Sequence, residues 1–327
     1  MSKIKRIGVF TSGGDSPGMN ACIRAVVRTS IFYNLNVFGI YHGYEGMING
    51  EIKEMKSNSV SNIIQRGGTI LKTSRSKRFM TKEGMALAYK QIKKHKIDAL
   101  VAIGGDGTFK GALEFNSIYK IPIIGLPGTI DNDLFGTDYT IGFDTALNTV
   151  VEAVDRIRDT ASSHSRLFFI EVMGRDAGYI ALHSGLACGA ESILIPETKT
   201  HIDTLIETLN KGWKRKKSSS IVIVAEGDEL GGAIQIAKMV NEKFKQYETR
   251  VSILGHLQRG GSPSCRDRVL ASRLGTKAVE SLMEGKKNFA IGIIDDKFTF
   301  TPFEKATKKH QPINKEFLET ARILSSV

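Results

Sequence analysis

Six apolar runs of strand length recur along the chain, and each leads into a glycine-rich turn: RIGVF into TSGGDSPG, ALVAI into GGDGTFKG, IPIIGLP into GTIDND, LFFIEV into MGRDAG, SIVIVA into EGDELGG, and RVSIL into GHLQRGG. Segments with helical spacing alternate with them, such as MNACIRAVVRTSIFYN and TALNTVVEAVDRIRDTASS. Short apolar runs bounded by glycine and separated by helices predict strands buried on both faces. The expected fold class is therefore α/β, with mostly parallel sheets and helices on both sides. Ligands bind such sheets where the strands end, so the six turns are the candidate site. No linker-like stretch and no solenoid period interrupts the pattern. Counting units predicts one lobe up to about TIDND and a second, similar lobe from IGFDTALN to VSILGH, after which the chain crosses back.

Composition adds little to this picture. The 327 residues suffice for two lobes of ordinary size, and 41% hydrophobic with 24% charged residues is typical of a folded globular chain. The 33 glycines against 7 prolines fit many tight turns. The start, MSKIKRIGVF, is basic and then apolar, but TSGGD interrupts it before a signal sequence is complete, and no run approaches the ~20 apolar residues of a membrane span. Cys22, Cys188 and Cys265 lack CxxC spacing, which argues for a reducing cytoplasm and against a disulfide framework or a zinc site. A net charge of +12, with clusters such as KTSRSKR and KQIKKHK, permits a nucleic-acid surface, solvated faces, or a grip on small phosphorylated ligands. No zinc-finger, RNP or KH pattern accompanies the charge, and aromatic residues are only 8%. The sequence argues against nucleic acid.

Chemistry concentrates in the turns. Gly13, Gly14 and Asp15 in the first, and Gly104 to Thr108 in the second, allow backbone N–H groups to approach a polyphosphate at a helix start; tight turns without a ligand are the plainer reading of either loop alone. Known templates fail. GGDGTFKG misses the dinucleotide spacing, Gly13 to Gly18 is followed by Met19-Asn20 instead of the Walker Lys-Ser/Thr, and DNDLFG puts Phe135 and Gly142 where a calcium loop needs ligands. Asp106 suits either a Mg²⁺ ion shared with phosphate oxygens or a helix N-cap. Asp131 and Asp133 crowd two carboxylates into one turn, which suits one of them taking a hydroxyl proton while the other orients or receives charge. Arg75, Arg175 and Thr129 are candidates to meet a transferred phosphoryl group. Arg166, Arg250, His256 and Arg259 would form a cationic pocket for a second phosphate, although a lone histidine in such a turn is commonly structural.

Together, TSGGD, GGDGT, PGTIDND, VMGR, AEG and GHLQRGG resemble the 6-phosphofructokinase family in its short bacterial, ATP-dependent form, from about Ile7 to beyond Gly292. The resemblance implies phosphoryl transfer from ATP to the 1-hydroxyl of fructose 6-phosphate in glycolysis, with Asp131 as base and Asp133 in support. It implies that Gly14, Arg75, Ser76, Gly105, Asp106, Gly107 and Thr108 meet the nucleotide, Asp106 through Mg²⁺. Sugar or reacting-phosphoryl positions fall on Thr129, Ile130, Met173, Gly174, Arg175 and Glu226, and the 6-phosphate pocket on Arg166, Arg250, His256, Leu257, Gln258 and Arg259. Arg166 and Arg250 match arginines that the family borrows from a neighbouring subunit, so a homotetramer with shared active sites is implied.

By the same resemblance the nucleotide lobe spans 1–141 plus 258–307, and the fructose 6-phosphate lobe 142–257 plus 308–327. Gly107 and Gly128 stand where pyrophosphate-using relatives tend to carry Asp and Lys, which favours ATP over a pyrophosphate alternative. GGDGT also occurs in NAD kinases and lipid kinases, which do not combine it with TIDND, MGR and HLQRGG. Arg24, Arg28, Arg158, Gly189, Glu191, Arg215 and Lys217 match a site for ADP or phosphoenolpyruvate as effectors. Two departures, MKSNS where some relatives carry an arginine and Lys217-Ser218-Ser219 for a Lys-Lys-His run, predict an effector site of altered affinity.

Overall fold

The computed structural model describes residues 4–163, 166–215, 220–308 and 311–325. From the amino terminus run β1 (Arg6–Ser12), α1 (Met19–Phe32), β2 (Asn36–Ile40), α2 (Gly43–Asn49), β3 (Ile52–Met55), α3 (Lys82–Lys94), β4 (Ala99–Gly104), α4 (Asp106–Tyr119) and β5 (Ile123–Pro127). Next come α5 (Phe143–Ser163), β6 (Arg166–Val172), α6 (Tyr179–Ala187), β7 (Ser192–Leu194), α7 (Ile202–Lys214), β8 (Ser220–Ala225), α8 (Ala233–Lys243) and β9 (Glu248–Ile253). The chain closes with α9 (Cys265–Met283), β10 (Phe289–Ile294), β11 (Lys297–Pro302), α10 (Phe303–Ala306) and α11 (Lys315–Ser325). It divides into two compact units: residues 1–130, 134–145 and 259–311 form the first, and 131–133, 146–258 and 312–327 the second. No helix among the described residues is long and apolar enough to cross a membrane.

The first unit holds a seven-stranded sheet in the order β11-β10-β5-β4-β1-β2-β3, parallel except for the outermost strand at each edge. All six residues of β4 are buried, and their alternation shows why. Ala99, Val101 and Ile103 join one core with Ile7 and Val9 of β1, together with residues of α1 and α9. Leu100 and Ala102 join the other, with Phe10, Phe109 and Phe115, built against α2, α3 and α4. A strand covered on both sides has no wet face, which is why these segments read as unbroken apolar runs. At ~25 cal/mol per Å², the two cores are the main stabilising contribution of this unit.

Asp267, in the first turn of α9, fastens the start of α5. It is buried and accepts from Gly142 N–H (2.9 Å), Thr145 N–H (2.8 Å) and Thr145 Oγ1 (2.5 Å). Burial pushes its carboxyl above the ordinary aspartate range, against the opposing pull of these three hydrogen bonds.

The second unit holds a four-stranded parallel sheet in the order β7-β8-β6-β9. Leu167 and Phe169 of β6 and Val222 and Val224 of β8 form one core with α7 and α8. On the opposite face Gly185 of α6 lies so close to Ile193 that an added Cβ would fall 2.7 Å from its side chain. Each unit is thus a mostly parallel sheet with helices on both faces, as the alternation of runs and helices predicts.

Candidate active site

Register gathers the turns of the first unit. Ser12 of β1 lies opposite Gly104 of β4, and Gly104 lies opposite Pro127 of β5, so three strands end on one line. The glycine turns after β1 and β4 and the GTIDND turn after β5 therefore leave from the same edge of the sheet. The chain order places β2 and β4 on opposite sides of β1, which makes this edge a switch point where ligands bind in open α/β sheets.

Thr108 locks two of these turns together. It is buried, its Oγ1 donates to Ser12 O (3.0 Å), and its own carbonyl accepts from Tyr44 Oη (2.7 Å). Gly105 occupies the N-cap position of α4, so Asp106 is the first helical residue and not the cap. Its carboxylate is favoured there by the helix dipole and pairs with Lys110 Nζ at 2.6 Å. A Cβ added to Gly107 would meet nothing within 4 Å, whereas one added to Gly14 would fall 2.3 Å from Arg259 Nη1. Arg259 belongs to the first unit and donates from Nη1 to Asp15 O (3.0 Å).

The two glycines expected to select the donor differ in kind. A Cβ on Gly128 would sit 2.9 Å from Ile103 Cγ2 and 3.3 Å from Gly104 N, inside the unit's own packing. The resemblance implies ligand space beside both positions; Gly107 faces open space, whereas Gly128 faces the unit's own side chains. Gly128→Ala should therefore destabilise by about 1–3 kcal/mol through overpacking. Gly107→Ala should leave stability unchanged or raise it by up to about 1 kcal/mol, since glycine weakens a helix, while raising the KM for nucleotide. Thermal unfolding of both variants, with nucleotide saturation curves, checks this contrast; a stable Gly128→Ala would return that glycine to ligand space.

After β5, Thr129, Ile130 and Asp131 are buried, with Asp131 only 3% exposed. Thr140 Oγ1 donates to Thr129 O (2.6 Å), and Asn132 takes a positive φ of 53°, a backbone state that asparagine tolerates. Asp131 and Asp133 fall within the short stretch that clusters with the second unit. In that unit the buried Tyr179 hydroxyl is pushed above its ordinary range by burial first, then by the charges of Glu197 and Asp133.

The strands of the second unit also end in line: Val172 lies opposite Ala225, and Glu171 opposite Ile253. Glu226 joins two of the turns, accepting from Gly174 N–H (3.2 Å) and Arg175 N–H (2.7 Å) on one oxygen. Arg175 has φ 54°, and its side chain is exposed. Gln258 is fully buried; its Oε1 accepts from Met173 N–H (3.2 Å) and its Nε2 donates to Gly255 O (3.1 Å). Leu257 and His256 are exposed.

Within one chain the proposed cationic pocket is not gathered. Arg166 and Arg250 both pair with Glu248 at the amino ends of β6 and β9, the Arg166 Nε contact being 2.7 Å, while His256 follows the carboxyl end of β9. Hydrogen bonding from Arg166, with the charges of both arginines adding to it, holds the Glu248 carboxyl below its usual range.

The effector candidates form two sets. Arg24 and Arg28 lie one turn apart on α1, where burial, then the like charge of Arg28, lowers the pKa of Arg24. In the second unit Arg158 donates to Cys188 O, Gly189 has φ 59° with open space beside it, Glu191 is buried, and Arg215 is exposed at the end of α7. Lys217 lies outside the described residues.

Sequence reasoning missed Glu45, in the first turn of α2. It accepts from Ser76 Oγ and Arg78 Nη1, both at 2.5 Å. The hydroxyl of Ser76, expected at the nucleotide, is thus engaged within the protein. The only local signal was an acidic residue at the start of a seven-residue helix.

Glycine turns at the ends of parallel strands, a carboxylate at a helix start and a buried aspartate after the neighbouring strand are the parts of a phosphoryl-transfer site. The sequence pattern of the family described as Phosphofructokinase matches residues 6–282. The chain is 56% identical over 325 residues to ATP-dependent 6-phosphofructokinase 2 of Bacteroides thetaiotaomicron, covering 99% of this chain and 100% of that one. It is 54% identical to ATP-dependent 6-phosphofructokinase 1 of Thermus thermophilus, covering 98% and 100% respectively. A solved phosphofructokinase from Saccharomyces cerevisiae superposes with a TM-score of 0.86 at 37% identity over 98% of this chain, which spans 46% of the yeast chain. The chain belongs to the phosphofructokinase family.

Proposed function

We propose that the chain transfers the γ-phosphoryl group of ATP to the 1-hydroxyl of fructose 6-phosphate, giving fructose 1,6-bisphosphate and ADP, the committed step of glycolysis. The observation that carries this reading is the alignment of Ser12, Gly104 and Pro127, which sets two glycine turns beside the turn leading to Asp131. Asp131 takes the proton of the 1-hydroxyl, and Asp133 supports it as base. The freed oxygen forms a bond to the γ-phosphorus as the bond from that phosphorus to the ADP oxygen breaks. Thr129, Arg75 and Arg175 stabilise the charge on the transferred group.

Gly14, Gly105, Gly107 and the backbone around Thr108 receive the nucleotide, with Arg75 and Ser76 on the neighbouring segment. Asp106 would hold Mg²⁺. Among the described residues no group of three or more His, Cys, Asp or Glu could hold a metal, and a single half-buried carboxylate next to the open space at Gly107 fits an ion that takes most of its ligands from phosphate and water. When bound, the ion neutralises charge on the phosphate oxygens. Lys110, now on Asp106, must share or yield that carboxylate.

The sugar is received by Ile130, Met173, Gly174, Glu226, His256, Leu257 and Gln258, with Arg259 for its phosphate. Arg166 and Arg250 serve the site of a neighbouring copy in a homotetramer, in keeping with their place towards the amino ends of β6 and β9, away from the turns that follow these strands. ADP or phosphoenolpyruvate acts at the arginines of α1 and the Arg158–Glu191 set. The free cysteines accord with a cytoplasmic enzyme.

The test is formation of fructose 1,6-bisphosphate by the purified protein with Mg²⁺ and fructose 6-phosphate, comparing ATP with pyrophosphate. Product with ATP alone is expected. Product with pyrophosphate would overturn the donor assignment, and no product with either would overturn the reaction.

A further inference from the structure

Arg75 sits on a segment, residues 72–80, whose only regular structure is the short helical turn Arg78–Met80. Such a segment gives a functional arginine no fixed position unless side chains tie it down. On one side of Arg75 the ties run to β1 and the turn after it: Thr11 Oγ1 donates to Lys72 O (2.8 Å), and Thr73 Oγ1 donates to Gly13 O (2.7 Å). On the other side they run to α2 and converge on one residue. Ser76 Oγ donates to Glu45 Oε2 and Arg78 Nη1 donates to Glu45 Oε1, each at 2.5 Å. Arg78 also donates to Asn49 Oδ1 (3.1 Å), and buried Phe79 stacks on Tyr44 with centroids 4.0 Å apart. Both carboxylate oxygens of Glu45 are spent on this segment, one on Ser76 and one on Arg78.

The Arg78 side chain is 55% exposed, and an ion pair of that kind adds little to folding stability. Its two-pronged geometry instead restricts where the Arg75 backbone lies. We infer that Glu45 is a positioning residue: with Ser76 and Arg78 it clamps the segment from the α2 side and holds Arg75 ready at the phosphoryl-transfer site. This rests on the reading of Arg75 given above. A clamped arginine meets developing charge without reorganising at the moment of transfer, and the clamp therefore acts on kcat more than on sugar binding.

A double-mutant cycle tests it. Glu45→Gln keeps the shape of the side chain and replaces one of the two acceptor oxygens by a donor; Arg78→Met removes one arm at an exposed position with little risk to folding. Each is expected to lower kcat by about tenfold at an unchanged KM for fructose 6-phosphate and a nearly unchanged Tm. Arg75→Met alone is expected to lower kcat by about a hundredfold, and Glu45→Gln added to it should do nothing more. An equal loss from Glu45→Gln with and without Arg75, or no loss from either clamp variant, overturns the positioning role. An Arg75→Met enzyme with unchanged kcat overturns the reading of Arg75 itself.

Discussion

Replacing Asp131 with asparagine is expected to lower kcat by roughly 10²- to 10⁴-fold, the usual contribution of a positioned general base. The half-saturation for fructose 6-phosphate should barely move. The substitution is close to isosteric at a position only 3% exposed, so the fold should survive it, and an unchanged Tm separates lost chemistry from lost structure. The amide cannot take the proton, while the turn that presents it, with Asn132 at positive φ and Thr129 O held by Thr140, stays in place. A rise in KM at constant kcat would make Asp131 a sugar-binding group, and full activity would remove it from the reaction.

The second large effect is expected at Arg175. Its backbone N–H is held by Glu226, and the residue is exposed in the turn after β6. Arg175→Ala should cost about 10²- to 10³-fold in kcat, the cost seen when a preorganised donor to transition-state charge is removed. Arg175→Lys should recover only part of this, because an ammonium lacks the planar fork of a guanidinium. The loss should not shift Tm, since the Glu226 contacts are to backbone N–H groups that the alanine keeps. Wild-type kcat in Arg175→Ala would mean that the charge is met elsewhere.

The strand-and-turn framework was legible because strands covered on both faces leave no polar interruption, and because glycine marks where each one stops. Runs such as ALVAI and SIVIVA map onto β4 and β8, buried at every position. What the sequence hid were fastenings between residues far apart along the chain. Thr108 reads as a phosphate ligand by its place in GGDGT, yet its hydroxyl is spent on Ser12, 96 residues away. Arg259 reads as part of GHLQRGG, yet it donates to Asp15, 244 residues away. Gly128 reads as space left for a ligand, and only the positions of Ile103 and Met19 reveal that it is space already taken. Periodicity reports which face of an element is buried; it carries no information about which distant backbone group a particular hydroxyl or guanidinium will meet.

The order of strands in the first sheet bears on how the protein is made. Ile124 of β5 pairs with Phe289 of β10, and Asn288 reaches back 165 residues to the N–H of Ile123. A ribosome adding about 5–20 residues per second needs on the order of 10 to 30 s to cover that interval. Throughout it β5 is the open edge of a growing parallel sheet, a template for wrong pairing with any neighbouring nascent chain. All four strands of the second sheet emerge during the same interval, so that sheet can close while the first still waits for its last two strands.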